Sequence, residues 1–134
     1  MNDTLVQKKA LRILIVDDNR EARAMLKQFL RSEAGAFREC EDGAEALAAY
    51  HEFQPDWVLM DCQMKRMNGI AATRQILAQF PEAAILIVTN HDELELRRMA
   101  EAAGARGFVL KHDLHSLPPL LQGTQSDFAK SPVT

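Results

Sequence analysis

Ile13-Leu14-Ile15-Val16-Asp17-Asp18 decides the fold: four apolar residues in a row, closed by two acids. A continuous apolar run this short reads as a strand buried on both faces, as in a parallel sheet covered by helices. Three more runs have the same form. They are Trp57-Val58-Leu59-Met60 before Asp61, Ala84-Ile85-Leu86-Ile87-Val88 before Thr89, and Phe108-Val109-Leu110 before Lys111. In open α/β sheets the ligand crevice lies beyond the carboxyl ends of the strands. Asp17, Asp18, Asp61, Thr89 and Lys111, far apart in sequence, are therefore expected to converge there.

Between the strands the spacing turns helical. Ala22, Met25, Leu26, Phe29 and Leu30 recur at helical intervals, which predicts a helix over 19–33 ended by Gly35. A short strand over 36–40 follows. Asp42-Gly43-Ala44-Glu45 resembles a capping box with Asp in the first place, opening a helix to about residue 53. Asn68 caps a helix over 69–80 closed by Pro81, and another runs over 93–103 to Gly104. The fifth strand is expected at 107–110. A last helix opens near Asp113, kept short, bent or displaced by Pro118-Pro119. Five strands alternating with five helices make an α/β, doubly wound parallel sheet with right-handed crossovers.

The chain has 134 residues, of which 47% are apolar and 26% charged, the profile of one globular domain. A net charge of −3 without a Lys/Arg stripe argues against direct nucleic-acid binding. No apolar stretch is long enough to span a bilayer, and Met1-Asn2-Asp3-Thr4 does not open like a secretory signal, so a cytoplasmic location is expected. Cys40 and Cys62 have no metal-ligand spacing and read as reduced structural thiols. Residues 123–134, rich in Ser, Thr, Gln and Pro, read as a disordered tail, either a linker or the stub of a second domain; the folded unit is expected at 1–122.

Three carboxylates at one mouth repel one another unless a cation lies among them. Hard oxygen ligands of this kind suit Mg²⁺, which is often shared with a phosphate. Asp61 is then the candidate nucleophile, because a carboxylate can attack phosphorus to form an acyl phosphate. Asp56, at the amino end of the same strand, is expected on the opposite edge of the sheet. Thr89 offers a hydroxyl donor to a phosphoryl oxygen, and Lys111 a compact positive charge.

With these residues in order on these strand ends, the chain from about residue 10 to 122 resembles the receiver domain of bacterial two-component response regulators, of the single-domain chemotaxis type. The resemblance implies a flavodoxin-like strand order 2-1-3-4-5. It implies phosphotransfer to Asp61 from a sensor histidine kinase or a histidine phosphotransfer protein, with Mg²⁺. Asp18, Asp61 and the backbone carbonyl of Gln63 would be ligands, and Asp17 would act largely through water. Thr89 and Phe108 would form the switch that changes the surface of helix four, strand five and helix five, where a downstream target or a second copy docks. Phe108 reads equally as plain core. Gln63 and His91, two residues beyond Asp61 and Thr89, would tune the lifetime of the phosphate. Such a domain is a phosphoacceptor, not an enzyme beyond assisting its own phosphorylation and slow dephosphorylation.

Several positions depart from that family's pattern. His112 stands where a proline with a cis bond is usual, so a trans bond is expected, since cis before a non-proline costs about 3 kcal/mol. Lys65 and Asn68 replace Pro and Asp, and Lys65-Arg66 reads as a solvated loop or as a lure for phosphate or an acidic partner. Asn90, larger than the residue usual there, is expected to narrow access to Asp61. Rival readings are an esterase of the haloacid-dehalogenase type, whose DxDx(T/V) motif Asp17-Asp18-Asn19 does not fit, a phosphate-independent interaction module, and the isolated receiver half of a DNA-binding regulator. A response of Trp57 fluorescence or of dimerisation to acetyl phosphate or beryllofluoride with Mg²⁺ is the expected discriminator between a phosphate-driven receiver and the phosphate-independent module.

Overall fold

The computed structural model describes residues 10–123. Along β1 (Leu11–Val16) Ile13 and Ile15 point to one face of the sheet, Leu14 and Val16 to the other, and all four are fully buried. The same alternation runs through β3 (Trp57–Met60), β4 (Ile85–Thr89) and β5 (Gly107–Leu110). Val58, Met60, Ile85, Ile87 and Phe108 join the cluster of Leu14; Leu59, Leu86, Val88 and Val109 join that of Ile13. With both faces covered there is no solvent side for polar residues, hence the unbroken apolar runs.

The Ile13 face is covered by α1 (Arg20–Phe29) and α5 (Leu117–Gln122), the Leu14 face by α2 (Ala46–Phe53), α3 (Gly69–Gln79) and α4 (Leu94–Ala103). With β2 (Ala34–Cys40) the sheet is parallel throughout, in the order β2-β1-β3-β4-β5. The winding reverses between β1 and β3, which opens a crevice beyond their carboxyl ends. Asn19 and Asn68 cap α1 and α3 by accepting from the N–H groups of Ala22 and Ala71. Pro118 and Pro119 fall in the first turn of α5, after a 3₁₀ turn at Leu114–Ser116, where a missing N–H leaves no intrahelical bond unmade.

Three expectations are revised. The first helix stops at Phe29, not at 33, and Gly35 lies inside β2 rather than at a helix end. Leu30 is fully buried on the sheet, and Glu33 and Ala34 turn back to its carbonyl so that Ala34 can pair with Leu11. Strand pairing thus overrides the helical propensity of 31–33. On the same helix Met25 and Phe29 are exposed while Arg23 is buried, because the covered stripe is narrow and centred on Leu26. Trp57 stands at the start of β3, at the opposite end from Asp61, and its Nε1–H donates to the Leu121 carbonyl of α5 over 3.0 Å.

Gly69 is where α3 meets β3. Its N–H donates to the Cys62 carbonyl (2.9 Å), and a Cβ there would collide with the Asp61 carbonyl oxygen and the Met60 side chain. Backbone cannot swing aside as a side-chain tip can. Gly69→Ala is therefore expected to cost about 3 kcal/mol, read as a lower urea midpoint at unchanged slope.

Candidate functional site

Strand register brings the acids together. Val16 pairs with Met60, and the Asp61 N–H donates to the Val16 carbonyl over 2.8 Å, so Asp17 and Asp61 leave adjacent strands side by side. Asp17 and Asp61 are buried; Asp18, next along the chain, is exposed. One carboxylate oxygen from each of the three lies within 4.8 Å of the others. Three hard oxygens so close, with one side open, suit a small divalent cation. β4 and β5 supply the fourth group. Thr89 pairs with Leu110, the Lys111 N–H donates to the Thr89 carbonyl (2.8 Å), and the ammonium turns back to the acids. Lys111 Nζ is 2.8 Å from Asp17 Oδ2 and 3.6 Å from Asp61 Oδ1.

Burial, and then the charge of Asp17, push the Asp61 carboxyl up to about 6; Lys111 and the Cys62 N–H pull the other way. For Lys111 burial alone would favour the neutral amine, but the bond to Asp17 and the charge of Asp61 outweigh it and raise its pKa. The ammonium therefore stays charged. Burial drives Cys40 to about 11 and Cys62 to about 12, so neither thiol is a nucleophile near neutral pH.

Thr89 is fully buried at the end of β4, where its hydroxyl accepts from the His91 N–H (3.2 Å). It lies on the strand ends that form the crevice, engaged with its own loop. Phe108 sits opposite Ile87 in the sheet, buried, with the Arg97 guanidinium 4.7 Å above its ring. Its place is in the core. Gln63 is exposed, and His91 is partly exposed with Nδ1 3.8 Å from Glu93. Exposed Asn90 lines an open cavity of about 340 Å³ with Met25 and Lys111. Among the described residues no peptide bond is cis, and the bond before His112 is trans. Asp56 lies at the far edge, where its carboxylate accepts from the Arg12 N–H (2.8 Å).

Two supporting residues escaped the sequence reading. Arg23 Nη1 donates to the Asp17 carbonyl (2.7 Å) while its Nε binds Glu39 (2.8 Å), and Lys27 binds the other Glu39 oxygen (2.6 Å). The Lys27 bond first, then Arg23, hold Glu39 below the usual carboxylate range against the opposing effect of burial. The second is Asp42, which reaches the loop after Asp61. An Arg three residues before a buried Leu was the available signal for the first; the second had none, since its partners are backbone atoms.

A doubly wound sheet with two acids after β1, one after β3, and a lysine after β5 defines a class, and the family model for the response regulator receiver domain matches residues 13–118. The chain belongs to that family, the receiver domains of two-component response regulators. It is 36% identical over 102 residues to the chemotaxis protein CheY of Halobacterium salinarum, covering 76% of this chain and 85% of CheY. It is 31% identical over 113 residues to the transcriptional regulatory protein DegU of Brevibacillus brevis, covering 83% of this chain and 48% of DegU, so it spans about half the length of that relative. The receiver domain of the histidine kinase CKI1 from Arabidopsis thaliana, solved with Mg²⁺, superposes with a TM-score of 0.72 at 29% identity over 83% of this chain and 89% of that one. Among the described residues no helix is long and apolar enough to cross a membrane.

The raised Asp61 pKa has a consequence for stability. Between about pH 4 and 6 the folded chain holds a proton that the unfolded chain has lost, so stability falls as pH rises through that window. With divalent ions chelated, Asp61→Asn is expected to gain on the order of 2 kcal/mol near pH 7.5, fading to nothing near pH 4, in thermal unfolding series.

Proposed function

We propose that this chain is a phosphorylation-dependent receiver in which Asp61 takes a phosphoryl group from a sensor histidine kinase or a histidine phosphotransfer protein. What carries this reading is the meeting of Asp17, Asp18 and Asp61 within 4.8 Å, with the Lys111 ammonium in contact with two of them. A carboxylate oxygen of Asp61 attacks phosphorus, the P–N bond of the phosphohistidine breaks, and the imidazole leaves with the electron pair and takes up a proton. Mg²⁺, held by Asp18, Asp61 and the Gln63 carbonyl with Asp17 acting through water, would supply the positive charge that lets two anions meet. Lys111 is already poised to follow the new phosphoryl oxygens, and Thr89 can do so once it leaves the His91 amide.

Beyond that step the site would act as a switch. Thr89 and Phe108 would carry the change to the face of α4, β5 and α5, where a downstream protein or a second copy binds. Gln63 and His91, on the loops flanking Asp61, would set the phosphate lifetime. The working unit would be 1–122, with 123–134 as a tail lying almost wholly outside the described residues, and the protein would act in the cytoplasm. Coverage of about half of DegU favours a second reading, in which the chain is the receiver part of a longer transcriptional regulator. The mass of the protein isolated from its source separates the two.

Treatment with acetyl phosphate and Mg²⁺ is expected to add one hydroxylamine-labile phosphoryl group, seen by intact mass, and chelation or Asp61→Asn to abolish it. Labelling of Asp61→Asn at the wild-type level would place the acceptor elsewhere, and none in wild type would point instead to a phosphate-independent module. Steady hydrolysis of phosphate esters would return the esterase.

A further inference from the structure

Asp42 does more than start a helix. It is almost fully buried. Oδ1 accepts from the Ala44 N–H (2.9 Å), which is all that the 3₁₀ turn at Gly43–Glu45 requires of it. Oδ1 also accepts from the Met67 N–H (3.0 Å), and Oδ2 from the Arg66 N–H (2.8 Å), groups 25 and 24 residues away. Glu45, the expected partner in a reciprocal cap, binds the Glu41 N–H instead. Gly43 completes the contact, since a side chain there would strike the Met67 carbonyl oxygen and crowd Ala72. Burial alone would raise the Asp42 pKa, but the three N–H groups outweigh it and hold the carboxyl below its usual range. A helix start needs one acceptor, which Asn or Ser would supply. A buried carboxylate with both oxygens engaged by backbone is explained by the loop it holds.

That loop, 62–68, joins Asp61 to α3. Its two ends are set by β3 and by the Gly69 N–H on the Cys62 carbonyl, and its middle by Asp42. We propose that Asp42 is a positioning residue for metal-assisted phosphotransfer: by clamping the backbone at 66 and 67 it fixes the loop and, through it, the placement of Asp61 among the three acids. The proposal rests on the receiver reading above. The exposed Arg66–Glu45 pair (3.0 Å) plays no comparable part, because an ion pair in solvent contributes little.

Asp42→Asn keeps one acceptor oxygen and turns an NH₂ group against the Arg66 N–H. With the far-UV spectrum unchanged, the Mg²⁺ concentration for half-maximal labelling by acetyl phosphate is expected to rise roughly tenfold, while the rate at saturating Mg²⁺ recovers. A merely structural role would lower the labelled fraction at every Mg²⁺ concentration alike. Glu45→Ala should match wild type. In the wild-type chain before Mg²⁺ is added, hydrogen exchange at the Arg66 and Met67 amides should already be slow. Unfolded-chain exchange rates there overturn the proposal even if the variant does not fold, as does a folded Asp42→Asn with an unchanged Mg²⁺ requirement. Failure of wild type itself to take label in Mg²⁺ defeats the receiver reading instead.

Discussion

One ammonium holds the crevice together. Lys111 lies 2.8 Å from Asp17 and 3.6 Å from Asp61, and without it two buried carboxylates would face each other across adjacent strands. The arrangement is far from neutral: three acids meet one base. Burial first, and then the uncompensated charge of Asp17, push Asp61 up to about 6. A site in this condition attracts a divalent cation and then a phosphoryl group, since each relieves the excess of the other's charge.

Around this imbalance the backbone is unusually well tied. Arg23 holds the Asp17 carbonyl and is itself held by Glu39. Asp17 also accepts from the Asn19 N–H (2.8 Å), which shapes the turn into α1. Asp42 secures the loop beyond Asp61, and Gly69 lets α3 close against it. Carboxylates that repel would otherwise splay apart. The surrounding hydrogen bonds oppose this.

β4 and β5 join the site to the outer side of the sheet. Thr89 ends one and pairs with Leu110 of the other, and Phe108 lies two residues earlier under Arg97. Arg97 also approaches Asp92 (3.5 Å), at the mouth of α4. On the outer side α4 exposes Leu94 and Met99, the apolar residues of the face that the proposed switch would alter. The 89–93 loop and the Phe108–Arg97 stack lie between Thr89 and that face.

The sequence alone determined the sheet, its layers and the residues of the crevice. Apolar runs such as Ile13 to Val16 leave a strand no solvent face, and a parallel sheet must present its strand ends together. Asp17, Asp18, Asp61 and Lys111 could therefore be named from position. Tertiary structure alone decided where α1 stops, because the burial of Leu30 and the pairing of Ala34 with Leu11 are contacts between distant segments that local spacing does not encode. It alone placed Phe108 buried beneath the Arg97 guanidinium. The same holds for Asp42, whose decisive partners are the N–H groups of Arg66 and Met67. Every residue but proline carries that donor, so no pattern of side chains can announce which one a carboxylate will find.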